Sequence, residues 1–319
     1  MKKLRYGIIS ASSIVPRFVS ALNETKHSLV HAIGSSTLKR SEKLAKKLDI
    51  PNAYGSYEEV YTDPEVDVVY IANINDQHFE QIMKALSHKK HVLCEKPMVL
   101  TREHAQQAFA FAKEQGVFLM EAQKAAFLPT TNFVKEAIES KKYGELKQIQ
   151  ISASYANRFP DDHWMYQKHQ GGALFGSGSY IIETLLVLLD NPSYEYQAMT
   201  HLGQSGEIDD VSIQFNFNKD LLVSTHLSTR VHTENVANFY FEQASISIND
   251  FWKSRKLRVD YHDNEDHDVM KFPNIPEMVY EINHVYDCIH EGLTESPIMS
   301  PEITMNTASL VEEIYKTTV

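Results

Sequence analysis

Cysteine is almost absent from this chain: Cys94 and Cys288 are the only two in 319 residues. They fall in a strand-like and a helical pattern without metal-ligand spacing. Burial as small apolar residues in a reducing cytoplasm is the expectation, rather than a disulfide. No apolar run is long enough to cross a bilayer, and Met1-Lys2-Lys3-Leu4-Arg5 leads into a strand rather than a signal-peptide core. Positive charge is short as well. The formal net charge of −11 disfavours nucleic acid and anionic membrane as partners, since both select a basic surface. Repeats and low-complexity tracts are missing too. What is present is 43% apolar and 10% aromatic residues, ample for a core, in a length that predicts two domains.

The first third alternates strand and helix. Short apolar strands are expected at residues 4–9, 29–34, 52–54, 66–72, 91–94 and 117–121, with helices at 15–22, 41–48 and 79–87. A further helix is capped by Thr101 and ends by Gly116. Val66 to Ala72 is nearly continuous in apolar residues, as suits a strand buried on both faces of a parallel sheet. This pattern predicts a doubly wound nucleotide-binding (Rossmann) domain over residues 1–122. The second domain, 123–319, is expected to be α+β. A helix at 132–140, a helix at 180–189 and two C-terminal helices flank consecutive strands that indicate a largely antiparallel or mixed open sheet.

A dinucleotide fold expects glycines after its first strand, one for the turn and one for approach to the pyrophosphate. Here Ser10, Ala11, Ser12, Ser13 and Ile14 occupy that loop. Serine at positive φ costs roughly 1–3 kcal/mol, yet hydroxyls and free helix N-terminal amides both donate to phosphate. At the end of the second strand no acid is available for the ribose hydroxyls of NAD. Ser35, Ser36 and Thr37 instead stand beside Lys39 and Arg40, a set able to hold the 2′-phosphate of NADP. Lys39 and Arg40 read equally well as a solvated first helical turn, so the cofactor is NADP by preference, with NAD open.

The tripeptide Glu95-Lys96-Pro97 is the sharpest feature. A lysine leaves a buried strand at the carboxyl edge of the sheet, where open α/β sheets bind ligands, and a proline then ends the strand. Its ammonium can share a proton with a reacting hydroxyl, although alone such a lysine reads more readily as a strand end reaching solvent.

These residues resemble the Gfo/Idh/MocA family of nicotinamide-dependent oxidoreductases, most closely its dihydrodiol dehydrogenase-like branch. The resemblance is carried by Val66 to His78, by His88 to Pro97, by Gly171-Gly172-Ala173-Leu174 and by the C-terminal segments Glu277 to Ile282 and Ser296 to Glu302. It spans essentially the whole chain. It implies that Ala72, Asn73, Asn75 and His78 lie along the nicotinamide half of the cofactor, beside Glu95 and Lys96. It implies Lys96 and Tyr180 as a proton relay, the phenolate being favoured beside an ammonium. Gly176 stands where many members carry an aspartate, and Ser12 is a further departure, although serine-alanine at the first two loop positions is shared with the branch. Lys124 stands where some relatives carry arginine or tryptophan. With His163 and Trp164, in the polar-aromatic stretch that includes Asp161, Asp162, Tyr166 and Lys168, it is a candidate for the substrate side, a stretch that reads equally well as a solvated loop.

The expectation is therefore an NAD(P)-dependent oxidoreductase acting on a secondary alcohol or ketone of a sugar, cyclitol or cyclic diol, with no metal. A nucleotide- or sugar-binding relative without turnover is the alternative that Ser12 and Gly176 keep open. Family members commonly pair through the open face of the second sheet. A homodimer or higher homo-oligomer is expected, with Val211, Ile213, Phe215 and Phe217 on one face of the sheet and Phe239 and Phe241 adding apolar surface, divided between a partner and the domain's own helices.

Overall fold

The computed structural model describes residues 3–156, 163–263 and 265–319. The chain divides into two compact units. One is Met1–Gln123 with Ile275–Ala308, and the other is Lys124–Asn274 with Ser309–Val319.

The first unit is built on six parallel strands: β1 (Leu4–Ile9), β2 (Ser28–Gly34), β3 (Asn52–Tyr54), β4 (Val68–Ile71), β5 (His91–Glu95) and β6 (Leu119–Ala122). Their order is β3-β2-β1-β4-β5-β6, with β1 paired to both β2 and β4. The chain direction of the winding reverses there, which puts a ligand crevice at the carboxyl ends of β1 and β4. Helices α1 (Val15–Glu24), α2 (Leu38–Leu48), α3 (Tyr57–Thr62), α4 (His78–Ser87) and α5 (Arg102–Gln115) connect the strands. Every residue of β4 is buried, as its unbroken apolar sequence requires. Thr101 caps α5 by accepting the His104 N–H, and Gly116 ends it at φ +69°. Two differences from the sequence expectation bear on the site. Helix α2 starts at Leu38 rather than residue 41, which puts Lys39 and Arg40 on its first turn. Helix α3, capped by Ser56, was not anticipated. Helix α8 (Met278–His290) packs against α1, and the first part of α9 (Pro301–Thr318) also belongs to this unit.

One buried histidine in this sheet makes stability pH-dependent. The Phe118 N–H donates 2.9 Å to His91 Nδ1, so that nitrogen is unprotonated in the folded state. Burial holds the His91 pKa below its ordinary value. Between that lowered value and about 6.5 the unfolded chain binds more protons. The stability His91 contributes is therefore complete above about pH 6.5 and is lost as pH falls through the folded value. Denaturant melts at falling pH are expected to show this loss. His91→Asn, whose amide oxygen still accepts the Phe118 N–H without titrating, is expected to flatten the slope below pH 6.5.

The second unit holds eight strands: β7 (Leu146–Ser154), β8 (Tyr194–Leu202), β9 (Ile208–Phe217), β10 (Leu221–Ser228), β11 (Val236–Phe241), β12 (Ala244–Asn249), β13 (Lys256–Tyr261) and β14 (His267–Lys271). Their order is β14-β13-β12-β11-β7-β10-β9-β8, antiparallel throughout except between β10 and β7. Helices α6 (Pro129–Glu139) and α7 (Gly172–Leu188) complete the unit, α7 packing on β9 and β10.

Helix α7 corrects the sequence reading. It begins at Gly172, eight residues before the expected start, and all 17 of its residues are buried. The run of glycine and serine reads as a loop because glycine weakens a helix by about 1 kcal/mol per position. Here small residues let the helix lie against its neighbours. At Gly172, where φ is +69°, a β-carbon would stand 2.4 Å from the Ile208 carbonyl oxygen. The apolar residues expected at a partner surface are corrected as well. Val211, Ile213, Phe215, Phe217, Phe239 and Phe241 are all buried within their own unit. Alternation along β9 and β10 turns Ser212, Gln214, Ser224 and His226 to the opposite face.

Candidate active site

The loop after β1 bears the strain that its missing glycine implies. Ser10 has φ +93°, and its N–H is tied to the Gly34 carbonyl at 2.9 Å. A serine held there costs roughly 1–3 kcal/mol, a strain that tends to persist at ligand sites. The next residues open α1. Ile14 occupies the N-cap position without a side-chain cap, no acidic residue stands in the first turn, and Pro16 removes one N–H. Within the helix the Val15 and Arg17 amides already bond to the Ser12 and Ile14 carbonyls at 3.3 and 3.0 Å, so any anion would be met by the loop that leads into α1. The Ser12 hydroxyl is buried and has no protein partner among the described residues. An uncapped helix end beside an unsatisfied hydroxyl fits a phosphate group. Ala11 and Ile14 are half-buried beside it and Ser13 is exposed.

At the end of β2 the residues named from sequence separate. Ser35 is buried. Its hydroxyl donates to the Thr37 carbonyl at 2.9 Å and accepts from Ser41 at 2.8 Å, so it shapes the turn from within. Ser36, Lys39 and Arg40 are exposed, and the Arg40 guanidinium reaches the Ser36 hydroxyl at 3.4 Å. That pairing brings a cation and a hydroxyl together at the strand end.

Beyond β4, Ala72 and Asn75 are buried and Asn73 is half-buried. The Asn73 amide donates to Tyr57 at 3.0 Å and to Gln77 at 3.1 Å, which fixes its plane. His78 is wholly buried, with Nδ1 2.8 Å from the Pro97 carbonyl and Nε2 3.1 Å from the Asn73 carbonyl. The ring thus links the segment after β4 to the segment after β5. Burial keeps its pKa below the ordinary histidine value, so it donates to one carbonyl at a time. Glu95 ends β5 and accepts a hydrogen bond from Tyr70, whose ring stacks on Phe18 of α1. Lys96 follows, half-buried, and the Lys96–Pro97 peptide bond is cis. One residue beyond Pro97, the Met98 N–H is held by the buried Glu121 carboxylate at 2.8 Å, and Thr304 donates to its other oxygen at 2.7 Å. The lysine is therefore mounted between a fixed glutamate and a fixed backbone.

In the second unit Lys124 and Tyr180 come together. Lys124 is buried in the 3₁₀ turn Lys124–Phe127, and its ammonium donates to the Tyr180 hydroxyl while lying 4.5 Å from the centre of that ring. Tyr180 stands midway along α7, beside Trp252 at 6.1 Å between ring centres, and Trp252 in turn contacts Tyr155 at 5.1 Å. Gly176, one turn before Tyr180, has no positive φ, and a β-carbon there would meet the Met165 thioether at 2.8 Å. His163 and Trp164 are half-buried beside each other, and His163 Nδ1 accepts the Met165 N–H at 3.3 Å. Asp161 and Asp162 lie outside the described residues. A cavity of about 430 Å³ is lined by Met165, Tyr166, Glu207, Asp209, Thr229 and Arg230, among others. Glu207, Arg230, Trp252 and Tyr155 were missed from sequence. They come from four separate strand ends and turns, with no spacing that links them. Among the described residues no group of three or more His, Cys, Asp or Glu could hold a metal, and no helix is long and apolar enough to cross a membrane.

Comparison with known proteins decides the family. Residues 4–123 match the Gfo/Idh/MocA oxidoreductase family with its NAD-binding Rossmann fold, and residues 131–247 match the Gfo/Idh/MocA C-terminal domain. The chain belongs to the Gfo/Idh/MocA family. It is an oxidoreductase with a nicotinamide-dinucleotide-binding domain. Within the family it is 32% identical over 326 residues to trans-1,2-dihydrobenzene-1,2-diol dehydrogenase of Mus musculus, covering 98% of this chain and 96% of that one. Identity to the Homo sapiens enzyme of that name is 28% over 327 residues, with the same coverage. The fold is shared with a 3-ketoreductase from Actinomadura kijaniata solved with NADP and TDP-benzene, at TM-score 0.88 and 23% identity over 99% of this chain and 98% of that one. It is shared equally with an aldose-aldose oxidoreductase from Caulobacter crescentus complexed with glycerol, at TM-score 0.88 and 20% identity with the same coverage.

Proposed function

We propose that this enzyme moves a hydride between NADP(H) and a secondary alcohol or ketone of a sugar, cyclitol or cyclic diol, with Lys96 and Tyr180 handling the proton. The observation that carries the reading is the mounting of Lys96 at the carboxyl end of β5, braced by Tyr70 through Glu95 and by Glu121 through Met98. The named activities of the relatives, a cyclic diol dehydrogenase and reductases of sugars, support the substrate class.

The α1 N-terminus and the Ser12 hydroxyl would hold the pyrophosphate, and Ser36 with Lys39 and Arg40 would hold the 2′-phosphate. Asn73, whose plane is fixed, and the His78 link would shape the nicotinamide edge. When bound, the cofactor supplies the carbon that accepts or returns the hydride. In alcohol oxidation Tyr180, as the phenolate, would take the hydroxyl proton while the carbinol carbon gives up its hydride. Lys96 would act as a donor to the reacting oxygen and stabilise the charge that develops there. In ketone reduction both transfers reverse.

The test of cofactor choice is a nicotinamide fluorescence titration with NADPH and NADH. Arg40→Ala is expected to weaken NADPH on the order of tenfold, the scale of a hydrogen bond to a charged group, and to leave NADH nearly unchanged. The NADPH affinity is expected to fall with salt. Equal weakening of both cofactors would remove the 2′-phosphate assignment.

A further inference from the structure

Lys124 is a buried cation with a specific partner, and neither the dinucleotide fold nor the hydride transfer by itself requires it. An ammonium has three donors and no acceptor, so the Tyr180 oxygen is used as an acceptor toward Lys124 and its own proton points elsewhere. The bond is made between the 3₁₀ turn after β6 and the third turn of α7, within one compact unit. Tyr180 is further fixed by its backbone, whose carbonyl accepts from Thr184 at 2.6 Å.

We infer that Lys124 is a positioning residue for proton transfer: it orients the Tyr180 hydroxyl and stabilises the phenolate left when that proton is given up. The inference rests on Tyr180 as the proton carrier and adds the group that acts through it. Other titratable groups face this pair from the neighbouring elements. Tyr155, at the end of β7, resists ionisation, first through its burial and then through Tyr180 and Asp250. The Lys253 ammonium lies 5.7 Å from the Trp252 ring centre. Glu183, one turn along α7, is fully buried. Lys124 is the cation placed directly on the Tyr180 oxygen. A charge-assisted hydrogen bond in a buried site stabilises charge more strongly than one in water.

The test is a double-mutant cycle in the full chain. Lys124→Met keeps the length and burial of the side chain and removes the charge. It is expected to lower kcat by about 10- to 10²-fold, the range for loss of one electrostatic donor, with the substrate KM changed less than about threefold. In a Tyr180→Phe background the same change is expected to add almost nothing, because its target is gone. Lys124→Arg, which retains the charge, is expected to recover part of the loss. A second readout needs no turnover. The near-ultraviolet tyrosinate titration of the apoprotein, taken as the difference from Tyr180→Phe, is expected to move up by at least about one pH unit in Lys124→Met. The inference is overturned by an additive loss in the double variant, by an unmoved titration, or by a rise in KM at unchanged kcat, which would make Lys124 a substrate ligand. A Tyr180→Phe enzyme with wild-type kcat would overturn both this inference and the proton-carrier assignment beneath it.

Discussion

Lys96→Met is expected to lower kcat by at least about 10²-fold, the usual scale for loss of a general acid or base, with cofactor affinity changed much less. Methionine preserves the unbranched stem, so packing at the end of β5 survives. The braces on either side, from Tyr70 to Glu95 and from Glu121 to the Met98 N–H, do not involve the ammonium. On the proposed mechanism the variant removes a donor to the reacting oxygen. Pre-steady-state kinetics separate this step from binding and product release. A burst of hydride transfer at the wild-type rate would show that Lys96 holds the cofactor or merely ends the strand.

Tyr180→Phe is expected to cost a similar factor, on the order of 10² in kcat. The ring, its contact with Trp252 and the helix around it all remain, and only the hydroxyl that Lys124 meets is lost. The limb of the pH–rate profile that reports proton transfer is expected to disappear with it. No carboxylate stands one turn earlier to substitute, because that position is Gly176, beside Met165. Measurement of kcat across pH for the wild type and this variant tests the point. A variant retaining both its rate and its limb would place the proton on another group.

The parallel sheet was legible because strands buried on both faces must be apolar throughout, as Val68 to Ile71 is. Elements that break this rule escaped. Helix α3 is six residues long, too short for a full apolar period, and β14 is exposed along its length, so neither leaves a pattern. The start of α7 was hidden because glycine and serine disfavour helix in isolation, whereas tertiary packing selects them here for close approach. At the site, a lysine at the end of a buried strand drew attention to Lys96, but alone it reads as readily as a solvent-reaching strand end, and its catalytic role is an expectation from the family resemblance. The serine loop was read correctly as a place of strain, and Ser10 carries it at φ +93°. The bond between Lys124 and Tyr180 joins residues 56 positions apart, and no periodicity encodes it. The inward turn of the Ser35 hydroxyl toward Thr37 and Ser41 likewise depends on the fold of α2.

The most direct test is isotopic. Sugars, cyclitols and cyclic diols labelled with deuterium at the carbinol carbon would be incubated with NADP⁺ and the enzyme, and the nicotinamide ring examined for label. Transfer of deuterium to the ring by the wild type, falling by at least about 10²-fold in both Lys96→Met and Tyr180→Phe, is the predicted result. Absence of label from every alcohol in the panel, or equal transfer by wild type and both variants, would contradict the proposed chemistry.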